Sequence, residues 1–421
     1  MSLDTPTSAE PEDRSYRALF RVPTLGRILI SMQLARIAQS MLTVALVLFA
    51  LAEYHSPALA GIVTFVSVAP GLAAAPIVGA LLDRYGRLRL MTLDYLVTTA
   101  AMVLVATLAT IHELPDWLLV AITFVFGVTS MFSSSGLRSL FPLIVPTHLW
   151  ERVNAIDSNG YLLATIVGPP VAATLVTTIG GPATFGLMAI PFAVAAVALV
   201  GVTEPVASGS APGGLLREAL IGIRYFWRNA TLRGLGVAFA VSNVAGGFGT
   251  ILIPVIILDR LSAPAPMVGF AFAVSGVVGV ASALLAGRID SNGREWRMLV
   301  VAMTGLAAAS ALLYPAATAG DQFVGLAWIF GAMAILGLSS GLSDVALFTV
   351  RQRRTDPQVF GRAITISMAF NYSGFPIGAA IAGSLVTASL EFAIVLAVVA
   401  GVVGMLLVAA MVPRLVPMRA D

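Results

Sequence analysis

Gly79-Ala80-Leu81-Leu82-Asp83-Arg84-Tyr85-Gly86-Arg87-Leu88-Arg89 stands between two long apolar runs, and its reading decides the fold. An aspartate, three arginines and two further breaks at glycine fall together where the flanks carry almost no charge. A short polar turn between apolar runs of about twenty residues is what separates two membrane-spanning helices. The turn recurs as Asp290-Ser291-Asn292-Gly293-Arg294, with aspartate, glycine and arginine at the same spacing. Ser134-Ser135-Gly136-Leu137 recurs as Ser339-Ser340-Gly341-Leu342, and Pro169 recurs as Pro376. Each pair is about half a chain apart, so the chain reads as two related halves.

Outward from this turn, apolar runs predict spans near 28–51, 58–82, 90–111, 117–141, 154–179 and 183–202. A second set follows near 232–257, 266–287, 298–318, 323–349, 362–388 and 392–412. The expected fold is an all-α membrane protein with twelve transmembrane helices in two pseudo-symmetric six-helix bundles, 28–202 and 232–412. Composition agrees: 58% of the 421 residues are hydrophobic and 11% charged, too few charges to solvate a soluble protein of this size. The segment 1–27 reads as a polar N-terminal tail and 413–421 as a C-terminal tail. The connector 203–231 opens with Glu204-Pro205 and a Ser/Gly/Pro run. It then becomes an amphipathic helix with Leu216, Leu220, Ile223 and Phe226 against Arg217, Arg224 and Arg228. Such a helix lies on a membrane surface; a plain solvated connector is the alternative.

All 24 basic residues are arginine, and their positions orient the chain. Arg14, Arg17, Arg21 and Arg27 precede the first span. Arg84, Arg87 and Arg89, Arg288, Arg294 and Arg297, and Arg351, Arg353, Arg354 and Arg362 follow even-numbered spans. Only Arg260 falls in a loop of the other side, and Arg36 lies within a span. Excess arginine marks the cytoplasmic side, which predicts a multi-pass protein of the inner (plasma) membrane with both termini and the connector in the cytoplasm.

These motifs resemble the major facilitator superfamily. The Gly79–Arg89 turn looks like that family's signature loop between its second and third spans. The resemblance implies that Gly79 lets helices approach, and that Asp83, with Arg84, Gly86 and Arg87, closes the cytoplasmic side against the N-terminus of span eleven. Asp290 and Arg294 would act likewise against span five. The alternative is a generic positive-inside turn. Ala164-Thr165-Ile166-Val167-Gly168-Pro169-Pro170-Val171-Ala172-Ala173 in span five resembles the family's exporter motif, with alanines where glycines are usual. It implies a hinge at Gly168 and Pro169; an ordinary proline kink is the alternative. Phe141–Ala155 and Arg217–Arg233 are similar to the branch holding enterobactin-type siderophore exporters and macrolide and multidrug efflux proteins. Span four lacks the early arginine, glutamine and glycine common in proton-coupled drug antiporters, which leaves coupling open.

Charges within spans are costly and are the natural functional candidates. Gln33, Arg36 and Gln39 share one face of span one. Arg36 either meets an anionic group of substrate or a carboxylate such as Asp344, or snorkels to the interface. Asp344, Asp94 and Asp157 are the coupling candidates, Asp94 and Asp344 having a second reading as anchors of Arg84 or Arg87 and of Arg288 or Arg294. Arg138 is a possible gate partner of Asp344. Asn243, Asn371 and Tyr372 are cavity candidates, interhelical hydrogen bonding being their alternative. The first expectation is export of moderately large, amphipathic organic molecules, as a small-molecule substrate class, by proton antiport; an importer or facilitator of a metabolite, or a transport-inactive receptor, are the competing classes. The resemblance implies a monomer in contact with membrane lipid. No cofactor, metal or nucleic-acid partner is expected. Scattered His55, His112 and His148 and the missing Gly-Lys-Ser/Thr loop argue against an enzyme and against ATP as the energy source.

Overall fold

The computed structural model describes residue 13 and residues 15–204, 215–286, 293–356 and 360–414, and among them there is no strand. Spans one to six are Leu25–Glu53, Pro57–Tyr85, Arg87–Thr110, Asp116–Ile144, Trp150–Ile179 and Gly181–Leu199. Span seven is Ala230–Val255, prolonged by a π-helical turn at Ile256–Arg260, and span eight is Pro266–Ala286. Span nine is Glu295–Ala311 with a short continuation at Leu313–Ala317, span ten Gln322–Arg354 and span twelve Leu390–Met411. Span eleven comes in two pieces, Phe360–Tyr372 and Gly374–Val386.

Local chemistry sets these ends. Ser56, Asp321 and Ser389 cap spans two, ten and twelve by accepting from Leu59, Val324 and Phe392 amides, and Pro57 takes a first-turn position where no N–H is needed. Among the described residues eleven helices are each long and apolar enough to cross a membrane; span eleven reaches that length only as two 13-residue pieces. Its break falls at Ser373, whose hydroxyl donates to the Phe370 carbonyl at 2.7 Å, three residues before Pro376, which supplies no amide hydrogen. The matching prolines of span five, Pro169 and Pro170, leave Trp150–Ile179 a continuous helix. The interruption of a helix sits in the other half, at Ser373.

The twelfth crossing returns the chain to the side it began from, so both ends share one face, called here the terminal face. Packing there differs from packing opposite. At the opposite face one core runs through both bundles and includes Phe49, Leu59, Phe185, Phe248, Ile251, Ala379, Ala382 and Ile394. At the terminal face the apolar packing of the described residues divides into three cores. One gathers Leu25–Ala38 of span one with parts of spans three, four and six. A second gathers Leu235, Phe239, Leu299, Met303, Leu347 and Val408. A small third joins Phe226, Leu232 and Ala363. The bundles thus share one apolar core at the opposite face and have separate ones at the terminal face.

The joint needs bare backbone. A Cβ on Gly61 of span two would stand 2.5 Å from the Ala379 carbonyl oxygen of span eleven, and one on Gly383 would stand 2.9 Å from the Gly61 Cα. Gly269 of span eight faces Pro169 and Pro170 of span five in the same way, its Cβ position 2.5 Å from the Pro170 Cα. Small residues let helices approach to this distance in lipid. Gly383→Val is expected to wedge spans two and eleven apart and shift the protein towards a form closed at the terminal face. Pulsed distance measurements between labels on the terminal-face ends of those spans should shorten; an unchanged distance in a folded variant would contradict the joint.

The helix Leu215–Arg228 lies between the bundles. Phe226 is buried against span seven at Gly236 and stacks on Phe370 of span eleven at 5.1 Å, whereas Leu220 and Ile223 are exposed. The apolar face read from sequence therefore divides between docking and exposure. Tyr225 accepts from the Asp356 amide at 2.9 Å, and Asn229 donates to the Arg354 carbonyl at 2.9 Å, tying this helix to the end of span ten.

Candidate functional site

Arg36 lies about eight residues inside the expected span and three turns into the observed one, and it is held sideways by span five. One guanidinium nitrogen pairs with the Asp157 carboxylate; the other donates to the Asp157 carbonyl at 2.8 Å. The Tyr161 ring lies under the guanidinium, 4.1 Å from its centroid. Gln33 donates to the Gly160 carbonyl at 3.2 Å. Gly160 leaves the space: its missing Cβ would stand 3.2 Å from Arg36 Nη1. The pair is 11% and 13% exposed, so most of its hydration has been replaced by these bonds. A planar fork that grips a carboxylate and a carbonyl while lying on a ring is something lysine does not offer. The carboxylate that Arg36 meets is Asp157, and the suggested partnership with Asp344 is corrected; snorkelling is not what this side chain does. Gln39, one turn further on, is partly buried.

The second half carries a neutral version of this joint. Asn243 stands 207 residues after Arg36, the separation that relates Asp83 to Asp290 and Pro169 to Pro376. Its amide donates to the Asn371 carbonyl at 3.0 Å and side-chain oxygen at 2.9 Å. Asn371 is buried and Tyr372 exposed. Asn243 and Asn371 thus make the interhelical bonds that were their alternative reading.

The remaining acids separate. Asp94 is 3% exposed and anchors neither Arg84 nor Arg87. Arg87 pairs with Glu204 at 3.1 Å, and the other Glu204 oxygen accepts from the Leu88 amide at 3.1 Å. Glu204, read from sequence only as the start of the connector, therefore caps span three, where the helix dipole favours a carboxylate. Arg84 is exposed beside the Tyr85 ring. Gly86, between the two helices, has φ +91°, a backbone that side chains rarely take.

Asp344 is exposed in span ten and makes no ion pair among the described residues; Arg294 is exposed apart from it, and Arg288 lies outside the described residues. Arg351 stands seven residues on from Asp344 and so on the same helix face. Arg351 had been counted among the solvent-side arginines, yet it is 0% exposed. It fills the gap to span eleven, with Nη1 against the Met368 sulfur at 2.7 Å, Nη2 donating to the Ser367 carbonyl at 3.5 Å, and Nε without a partner. The seven-residue interval from an intramembrane acid was the signal available in sequence.

Of the gating candidates, Asp290 and the side chains of Gly79, Asp83 and Arg138 lie outside the described residues. Gly168 brings span five against span one: a Cβ there would stand 2.7 Å from the Ser40 Cβ. Pro169 is buried one residue on.

A family model described as Major Facilitator Superfamily matches residues 28–361. An uncharacterized MFS-type transporter, y4rN, of Sinorhizobium fredii is 35% identical over 405 residues, covering 96% of this chain and 98% of that one. The multidrug efflux pump Tap of Mycobacterium tuberculosis is 28% identical over 374 residues, 85% of each chain. A bacterial homolog of the lysosomal transporter Spinster, solved inward-facing and unoccupied, superposes with a TM-score of 0.72 at 14% identity, over 96% of this chain and all of that one.

Proposed function

Since the chain belongs to the major facilitator superfamily, we propose that it is a secondary-active exporter of amphipathic organic molecules, driven by protons through alternating access. The observation that carries the mechanism is the arrangement of cores, one shared at the opposite face and separate ones at the terminal face. A cleft between two rigid bundles, open on one side, is the intermediate such a cycle requires. The clustering of arginine supports a cytoplasmic terminal face with both chain ends and the connector, and a cleft opening there would load cargo from inside the cell.

The similarity to Tap and the tight seat of Gly168-Pro169 against span one support export over import. Export against a gradient needs an ion that alternates between bound and free. Asp157 is poorly suited to that task, because its side chain is already engaged by the Arg36 guanidinium. Asp344 is suited: it is exposed, level with the terminal-face core of its bundle, and makes no ion pair among the described residues. Arg36, Gln33 and Gln39 would give the cleft a polar wall on the first bundle, with Tyr372 on the second.

The test is efflux from cells and reconstituted vesicles across a panel of dyes, macrolides and siderophores. Export of at least one compound that stops when the proton gradient is collapsed is expected. Gradient-driven uptake into the cytoplasm, or no movement of any compound under any gradient, would overturn the reading.

A further inference from the structure

The helix Leu215–Arg228 uses one strip of its surface for docking. Gly222 and Phe226, one turn apart, are buried. At 3.6 residues per turn, three further strips lie side by side around the helix. Ile223 and Trp227 form the first, and Trp227 is 43% exposed. Leu220, 59% exposed, heads the second, which continues through Arg224 and Arg228, both exposed. Exposed Ile221 stands on the third, beside Tyr225, whose hydroxyl is bonded to the Asp356 amide. The two guanidinium groups are thus bordered on both sides by large apolar side chains. Neither makes an ion pair among the described residues.

The place of this helix in the fold decides what its outer face meets. Asn229 ends it and caps span seven, accepting from the Thr231 and Leu232 amides at 3.0 Å. The helix therefore runs at the terminal-face end of the spans, where membrane gives way to water. Arg233, in the first turn of span seven, reaches back to the Trp227 carbonyl at 2.8 Å. The Trp227 ring lies edge-on to Phe370 at 5.4 Å, so the indole is held at that level. Bulk water would leave the four apolar side chains unburied, and hydrocarbon would leave the two arginines without partners. The headgroup layer answers both needs, with phosphates beside the upper acyl chains. Indole favours that boundary, and a guanidinium grips phosphate through paired N–H groups. Two uncommitted positive charges select anionic headgroups over zwitterionic ones.

We propose that the outer face of this helix, from Leu220 to Arg228, binds anionic phospholipid. Arg224 and Arg228 take the headgroup phosphates, and Leu220, Ile223 and Trp227 lie against the acyl chains. The helix packs on span two of the first bundle and on spans seven and eleven of the second, so the lipid borders both bundles at the terminal face. The inference needs only that the chain spans a membrane, and it holds for either direction of transport.

The chain has no cysteine, so Leu220→Cys accepts a single nitrobenzoxadiazole label at an exposed position of the full-length protein. The labelled protein is reconstituted in phosphatidylcholine vesicles containing a small share of lipid with a nitroxide on its acyl chain. The headgroup of that probe lipid is either phosphatidylglycerol or phosphatidylcholine. Quenching should be several-fold stronger with the anionic probe, and raised salt should shrink the difference. Arg224→Gln/Arg228→Gln changes two exposed side chains, should leave folding intact, and should bring the two probes level. Equal quenching of the parent by both probes overturns the anionic preference. Quenching by aqueous iodide and by neither lipid overturns the lipid contact. A label shielded from lipid and iodide alike would mean that protein covers this face, and would overturn the proposal as well. No substrate or gradient enters the measurement, so a failure of the exporter reading leaves its outcome untouched.

Discussion

Asp344→Asn is expected to exchange substrate down its gradient as the parent does, and to fail to concentrate it against one. The argument rests on what a coupling group must do. It binds a proton on one side of the membrane, releases it on the other, and changes charge each time. Asparagine keeps the shape and the hydrogen-bonding capacity but cannot change charge. Asp344 is exposed in span ten and pairs with no cation among the described residues, so its replacement should leave the melting temperature close to that of the parent. An anchoring acid would behave in the opposite manner, because the arginine it held would be left unpaired. Gradient-driven efflux, counterflow exchange and thermal unfolding on one purified sample distinguish the two. Uphill efflux should fall to the level of vesicles without a gradient while counterflow persists. Full uphill efflux in the variant would exclude Asp344 as the carrier.

The second large effect concerns Arg36. Arg36→Gln leaves the Asp157 carboxylate mostly buried with no cation beside it, and breaking a pair this way costs roughly 3 kcal/mol. Arg36→Lys restores the charge but not the geometry. A single ammonium cannot hold the Asp157 carboxylate and carbonyl together while lying flat on Tyr161. Lysine is therefore expected to recover part of the stability and little of the transport. The doubly neutral Arg36→Gln/Asp157→Asn protein is the more telling variant. The other half already joins its equivalent helices through amides, Asn243 to Asn371. An amide pair should then restore the melting temperature towards that of the parent, a non-additivity read directly from the double-mutant cycle. Transport should stay low if the charges contact substrate. Parental transport by the lysine variant would remove the specific role of the guanidinium, and parental transport by the double variant would make the pair a structural joint alone.

How much of this was legible beforehand depends on whether the property is written along the chain. Arg36 stood out because a charge inside an apolar run is costly wherever the helix ends up. Arg351 was passed over because arginine near the end of a span is usually solvated, and only its packing under span eleven shows that it is not. Glu204 looked like part of a connector until its position over the start of span three was known.

The sequence by itself determined the number of spans, the two-fold repeat, the clustering of arginine on one side and the polar stripe in span one. Each follows from a linear quantity, the length of an apolar run or the spacing of a charge. Tertiary structure alone decided that Arg36 meets Asp157, 121 residues away, that the break falls at Ser373 and not at Pro169, and that one apolar core runs through both bundles at the opposite face. It also decided that Asp94 anchors neither Arg84 nor Arg87. Which helices touch depends on where bare backbone lets them approach, as Gly61 and Gly383 do. In lipid, with no hydrophobic drive between helices, that close fit selects the partners.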